Sequence, residues 1–196
     1  MATLTRIHTA LAPNAIHIIF VHGLGGEARS TWMHNPKDHT TLWPNWIGED
    51  IGCHVWVAGY EAAPSGWTGE AMHLVDLGEA LFAALQAEST FQGKKLVLIG
   101  HSLGGLVIKS GMTQAASLGD PRRVALLDTV AGVVFVATPH QSSSLATLAH
   151  RLRVILRTNS PVTNMVRDDS WLKLINSQFR NLQHERRFSV RVLFET

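Results

Sequence analysis

Two apolar runs that break directly into glycine turns constrain this chain more than any other feature. Ile16–Val21 runs into His22-Gly23-Leu24-Gly25-Gly26, and Lys95–Ile99 runs into Gly100-His101-Ser102-Leu103-Gly104-Gly105. Three further runs of the same kind are His54–Ala58, Val130–Ala137, which Pro139 stops, and Ser189–Phe194. Strands that are apolar along their whole length are covered on both faces, the condition of a parallel sheet flanked by helices. The intervening segments supply those helices. Leu74, Leu77, Leu81 and Leu85 recur at helical spacing within about Glu70 to Gln86, and Leu103, Leu106, Val107 and Met112 follow the second glycine turn. Leu145, Leu148, Leu152 and Ile155 form a third stripe, and Trp171, Leu172, Ile175, Phe179 and Leu182 a fourth. Strand and helix alternate throughout, which predicts an α/β fold: a doubly wound, mostly parallel sheet flanked by helices, with right-handed crossovers.

The 196 residues suffice for one domain with a sizeable core. No repeat, low-complexity tract or linker divides them, so residues 1–196 are expected to form a single domain. With 45% hydrophobic and 16% charged residues the chain reads as a folded globule. A net charge of only +2 and the lack of a polybasic run argue against a nucleic-acid partner. The single cysteine, Cys53, excludes an internal disulfide and fits a reducing, cytoplasmic setting. No stretch has the make-up of a secretion signal or the roughly 18–20 apolar residues of a membrane span. A peripheral membrane contact stays open. The eleven histidines show no H-E-x-x-H or comparable spacing, so no metal is expected.

The second glycine turn carries the chemistry. Gly100-His101-Ser102-Leu103-Gly104 matches G-x-S-x-G, with a strand entering and an apolar-periodic helix leaving. That context is what a nucleophile elbow requires: a strained turn that lifts the serine hydroxyl above the sheet, with glycines where side chains would strike the neighbouring strand and helix. A turn that binds phosphate or merely packs is the competing reading. The first turn, His22 to Gly26, follows the first strand at the place of an oxyanion loop. Acyl transfer builds charge on a carbonyl oxygen, and losing one backbone donor to it costs on the order of 3 kcal/mol. The candidate donors are the amides of Leu103, the residue after the serine, and Leu24. As a phosphate loop the first turn lacks the third glycine of G-x-G-x-x-G and a Walker lysine. His22, Gly23, Gly100, His101, Gly104 and His140 are the residues expected to shape the site.

Phe20 to Gly26, Thr31-Trp32, Gly100 to Gly105, Val134 to His140 and the closing Leu193-Phe194-Glu195-Thr196 together resemble the α/β-hydrolases related to GPI inositol-deacylase and the SERAC-type serine lipases. The resemblance spans about residues 16–196. It implies an α/β-hydrolase fold and hydrolysis of carboxylic esters, lipid or small-molecule, through a Ser–acid–His triad, with no metal or organic cofactor. It also implies that further domains can accompany this one in a longer protein. Two departures stand out. Ala137 occupies the place before Thr-Pro-His where the group usually has glycine, and Gln141-Ser142-Ser143 replaces its Arg-Gly-Ser. The triad order is Ser, acid, His, and nothing follows Thr196. The domain is therefore expected to be incomplete at its C-terminus, lacking a final strand and helix and the catalytic histidine. Glu195 is the candidate acid, a solvated chain end its alternative.

Serine hydrolysis of carboxylic esters through an acyl-enzyme on Ser102 is the leading reading. A non-catalytic interaction or sensor module on a degenerate hydrolase fold is the alternative. Trp32, Trp43, Trp46, Trp56 and Trp67 either wall an acyl pocket or pack the core. The Leu145–Leu156 stripe, with His150, Arg151, Arg153 and Arg157 beside it, reads as a sheet-covering helix or as a lid.

Overall fold

The structure, a computed structural model, describes residues 1–60, 71–141 and 169–193. Six strands form one sheet: β1 (Thr3–His8), β2 (His17–Val21), β3 (His54–Gly59), β4 (Leu96–His101), β5 (Val130–Val136) and β6 (Ser189–Leu193). Their spatial order is β1-β3-β2-β4-β5-β6, with β2 to β6 parallel and β1 antiparallel to β3. The described helices are α1 (Trp43–Ile51), α2 (Ala71–Ala87), α3 (Leu103–Ser117), α4 (Pro121–Thr129) and α5 (Asp169–Arg186). The predicted mostly parallel α/β architecture is therefore the observed one. The stripe over Leu145–Leu156 lies outside the described residues.

Alternation along the strands sorts the core into two layers. Ile19 and Val21 of β2 join Leu98, Val133 and Phe135 in a large cluster with α2, α3 and α5. Ile18 and Phe20 point the other way, to Val55, Val57, Ile99, Trp32 and Trp43, where α1 covers the sheet. All of β2 is buried, which explains its unbroken apolar run. Among the described residues no helix is long and apolar enough to cross a membrane.

Three elements escaped the sequence reading. β1 is a half-exposed edge strand whose residues Thr3, Thr5 and Arg6 carry no apolar run, so only its pairing with β3 defines it. α1 and α4 are two-turn helices, too short for periodicity to register. Their ends were legible nonetheless. Pro44 opens α1 and Gly52 closes it at φ 69°, the left-handed conformation glycine accepts without strain. Asp120 caps α4 through Arg122 N–H at 2.9 Å, with Pro121 next. Arg123 of α4 then pairs with Glu79 of α2. His184 sits in the last turn of α5.

Ala137 bears out the significance of its departure from glycine. Its φ is +49°, while its N–H is held by the Leu193 carbonyl at 2.8 Å, tying the end of β5 to β6. A Cβ in this region costs about 1–2 kcal/mol, and glycine's extra freedom in the unfolded chain offsets roughly 0.5–1 kcal/mol of the relief. Ala137→Gly is expected to raise stability by up to about 1.5 kcal/mol in urea unfolding, the widest difference between those two figures; a clear loss would contradict the strained conformation.

Several histidines are packed as neutral side chains. Burial, then neighbouring His54, Lys94 and Arg6, lowers His17 to about 4 from the ordinary 6.5. Its ring stacks on His54 at 4.5 Å, and its Nδ1 accepts a hydrogen bond from Trp56 Nε1 at 3.1 Å. Burial lowers His22 and His54 as well. On acidification the unfolded chain takes up protons from about 6.5 downward, while folded His17 resists until about 4. The stabilisation is thus complete above the upper value and declines through that window. Urea midpoints should fall from pH 7 to pH 4, with a shallower slope in His17→Asn; a flat profile would exclude neutral packing.

Candidate active site

The chain leaves β2 toward β3 on one side and later returns to β4 on the other. This reversal makes the carboxyl ends of β2 and β4 a topological switch point, where open α/β sheets leave a crevice. Both glycine turns emerge there, since Val21 and Gly100 are cross-strand partners.

Ser102 sits between β4 and α3 with φ 52° and ψ −125°. A non-glycine residue held there stores on the order of 1–3 kcal/mol, so the surroundings must impose the conformation. They do so through the Ser102 N–H, which donates to the Val136 carbonyl of β5 at 2.8 Å, and the Ser102 carbonyl, which accepts from Gly105 N–H at 3.1 Å. Ser102 is a buried residue with 8% of its surface exposed.

The glycines take the places the sequence reading assigned to them. A Cβ on Gly100 would lie 2.6 Å from Gly105 Cα in the first turn of α3. One on Gly104 would lie 2.2 Å from the Val21 carbonyl oxygen and 2.4 Å from that of His22, so α3 begins in contact with the end of β2. Gly23 approaches the serine itself: an added Cβ would stand 2.9 Å from Ser102 Cβ and 3.3 Å from Oγ. Leu103 is the first residue of α3, so its N–H has no acceptor within the helix. Leu24 is a buried member of the larger core cluster.

The histidines beside the turns are held by neighbours. His22 is buried and stacks on Tyr60 at 4.3 Å and 11°, and its Nδ1 stands 2.9 Å from the Gly23 carbonyl, to which it donates. Its own carbonyl accepts the Tyr60 hydroxyl. Burial pushes the Tyr60 phenol upward and the His22 imidazole downward, so both remain neutral. His101 ends β4 and meets Trp32 edge-on at 6.0 Å. His140 lies beyond β5, its Nδ1 2.8 Å from Lys109 Nζ and its carbonyl accepting from Asn176 Nδ2 at 2.8 Å. Among the described residues no histidine is hydrogen-bonded to Ser102 Oγ. Glu195 lies outside the described residues. No group of three or more His, Cys, Asp or Glu side chains able to hold a metal lies among the described residues.

Of the tryptophans, Trp32 and Trp43 pack on Phe20 in the layer that also reaches His101. Trp56 serves the other core layer, with Phe91 and Arg6 around it, and Trp46 stands half exposed on α1. Trp67 lies outside the described residues. Tyr60 and Thr138, which hold the two glycine turns, were missed, as were Lys109 and Asn176, which bind His140. Thr138 Oγ1 donates to the Gly100 carbonyl at 3.3 Å, bracing the serine turn from β5. Tyr60, the sole tyrosine, directly follows β3, and Lys109 is the one charged residue of α3; both were visible signals.

These features define a class. The Alpha/beta hydrolase family matches residues 18–194, and the chain belongs to that family. Among curated proteins it is similar to Protein SERAC1 of Mus musculus and of Homo sapiens, each 25% identical over 203 residues that cover 94% of this chain. The chain spans 31% of the length of those relatives. Among solved structures it is similar to the mature lipase BlEst2 of Bacillus licheniformis, with TM-score 0.65 and 20% identity, covering 98% of this chain and 70% of that one. It also resembles an esterase/lipase from an uncultured bacterium, with TM-score 0.52 and 12% identity, covering 98% and 74%.

The contact of α3 with β2 predicts unequal tolerance to an added methyl group. Gly104→Ala is expected to cost at least about 1–3 kcal/mol, because backbone carbonyls cannot move aside. Gly132→Ala, whose nearest neighbour would be 3.5 Å away, should change stability by less than about 1 kcal/mol. Denaturant unfolding of the two variants compares them, and equal effects would refute the packing.

Proposed function

We propose that the chain carries the nucleophile half of a serine hydrolase that cleaves carboxylic esters, with Ser102 as the attacking residue. The observation that carries this reading is the left-handed Ser102 backbone at the switch point, its side chain against Gly23. That strained conformation is the one a nucleophile elbow uses. Family membership and the lipase and esterase folds it resembles agree with it.

In the proposed reaction Ser102 Oγ attacks the ester carbonyl carbon as its proton passes to a base. The carbonyl electrons move onto oxygen, where the N–H groups of Leu103 and Leu24 form the oxyanion hole. Collapse expels the alcohol and leaves an acyl-serine, which water hydrolyses. The base is assigned to a downstream histidine outside the described residues, with Glu195 the candidate acid. His22 and His140 are committed elsewhere by Gly23, Tyr60 and Lys109. Loss of that histidine lowers turnover by about 10⁶ in a well-studied serine protease, so turnover belongs to the polypeptide that supplies it. The lipid or small-molecule nature of the ester follows the resemblance to lipases and SERAC-type proteins, as does any contact with a membrane surface or fused domain.

The native-length protein should be labelled by a fluorophosphonate probe, whose fluoride the serine oxygen displaces, and Ser102→Ala should lose the label. Equal labelling of both would reject Ser102. No labelling or ester turnover in the native-length protein would favour the non-catalytic module instead.

A further inference from the structure

Lys109 is an unusual side chain for the interior. It lies seven residues after Ser102 on α3, two turns or about 10 Å along the helix, and is 97% buried, since only 3% of its surface is exposed. Its Nζ donates to His140 Nδ1 at 2.8 Å and to Asn176 Oδ1 at 2.5 Å, and it stands over the rings of Phe135 and Phe179 at 5.0 and 5.6 Å. All of these partners are neutral. Burying an ammonium without a carboxylate is costly, and such charges are ordinarily paired.

The hydrogen bond to His140 fixes a second donor. Because the ammonium donates to Nδ1, the ring proton resides on Nε2, and that N–H is buried with no acceptor among the described residues. Burial and then Lys109 lower His140 to about 4, so the ring stays neutral. Both groups line a pocket of about 460 Å³ between α3, the end of β5, β6 and α5. Arg180 lines it from α5 and is solvent-exposed, and no Asp or Glu is among the described lining residues. Arg180 bears on Lys109 only by repulsion. Phe135, Phe179, Val190 and Val192 supply an apolar wall.

A pocket with three cationic side chains, Lys109, Lys173 and Arg180, an unsatisfied N–H and a hydrocarbon wall lacks one component, an anion with acceptor oxygens and an apolar tail. We propose that this cavity binds an amphiphilic anion, its carboxylate or phosphate oxygens meeting Lys109, His140 Nε2 and Arg180 and its hydrocarbon resting on Phe179, Val190 and Val192. The volume is in the range of small-ligand sites. The site is separate from Ser102 and does not rest on the ester-hydrolase reading.

Calorimetric titration of the full chain at pH 7 with octanoate, octyl phosphate and octanol tests the proposal. At least one anion should bind with unit stoichiometry and at least tenfold more tightly than octanol. Lys109→Met should weaken that binding tenfold or more, and Arg180→Gln threefold or more. Arg180 is exposed, so its variant decides the matter if Lys109→Met fails to fold. Preference for octanoate assigns the site to a free carboxylic acid, and preference for octyl phosphate assigns it to a phosphorylated headgroup. Octanol binding as tightly as both anions, no anion binding, or unaltered affinity in Arg180→Gln would overturn the assignment.

Discussion

Backbone-to-backbone contact at the junction of β2, β4 and α3 governs the geometry of this molecule. Gly104 lets the first turn of α3 rest on the carbonyls of Val21 and His22, and Gly100 lets that turn close over the end of β4. Within that clamp Ser102 has its N–H fixed by Val136 and its carbonyl by Gly105, and its φ is forced positive. The strain is tolerated because β5, β2 and α3 determine it from three sides. Any widening of the junction would release the serine to an ordinary helical conformation and turn its hydroxyl away from Gly23.

Around this clamp polar groups are used to fix loops. Tyr60 both covers the His22 ring and binds its carbonyl, and Thr138 braces Gly100 from the neighbouring strand. Positive φ at Ala137 turns the chain after β5 so that Thr138 faces the serine turn. Low solvation keeps His22 and His140 uncharged. Burial and then Arg180 lower the Lys109 amine to about 8, and it stays largely protonated at neutral pH.

Much of the fold was legible because β2 and β3 are buried on both faces, and β4 and β5 largely so, and they write themselves as apolar runs. β1 was not, since an edge strand that is half exposed needs no such run. α1 and α4 show the limit of periodicity for helices of nine residues, although their proline starts were plain. The steric need for glycine at 100 and 104 was legible, because a requirement for hydrogen at a fixed spacing is local in sequence. The role of Tyr60, Thr138 and Asn176 was not readable, because each acts on a residue 36 to 38 positions away.

By itself, then, the sequence determined the alternation of elements, the two glycine turns and the identity of the residue between β4 and α3. These depend on local sterics and on the period of apolar residues, which a chain displays before it folds. Tertiary structure alone decided the strand order that brings the two turns to one crevice and the antiparallel addition of β1. It also decided that Lys109 lies inside, between His140 and Asn176, and not on a solvated helix face. Those outcomes depend on which surfaces pack against which, a property of the assembled layers that no window of sequence contains.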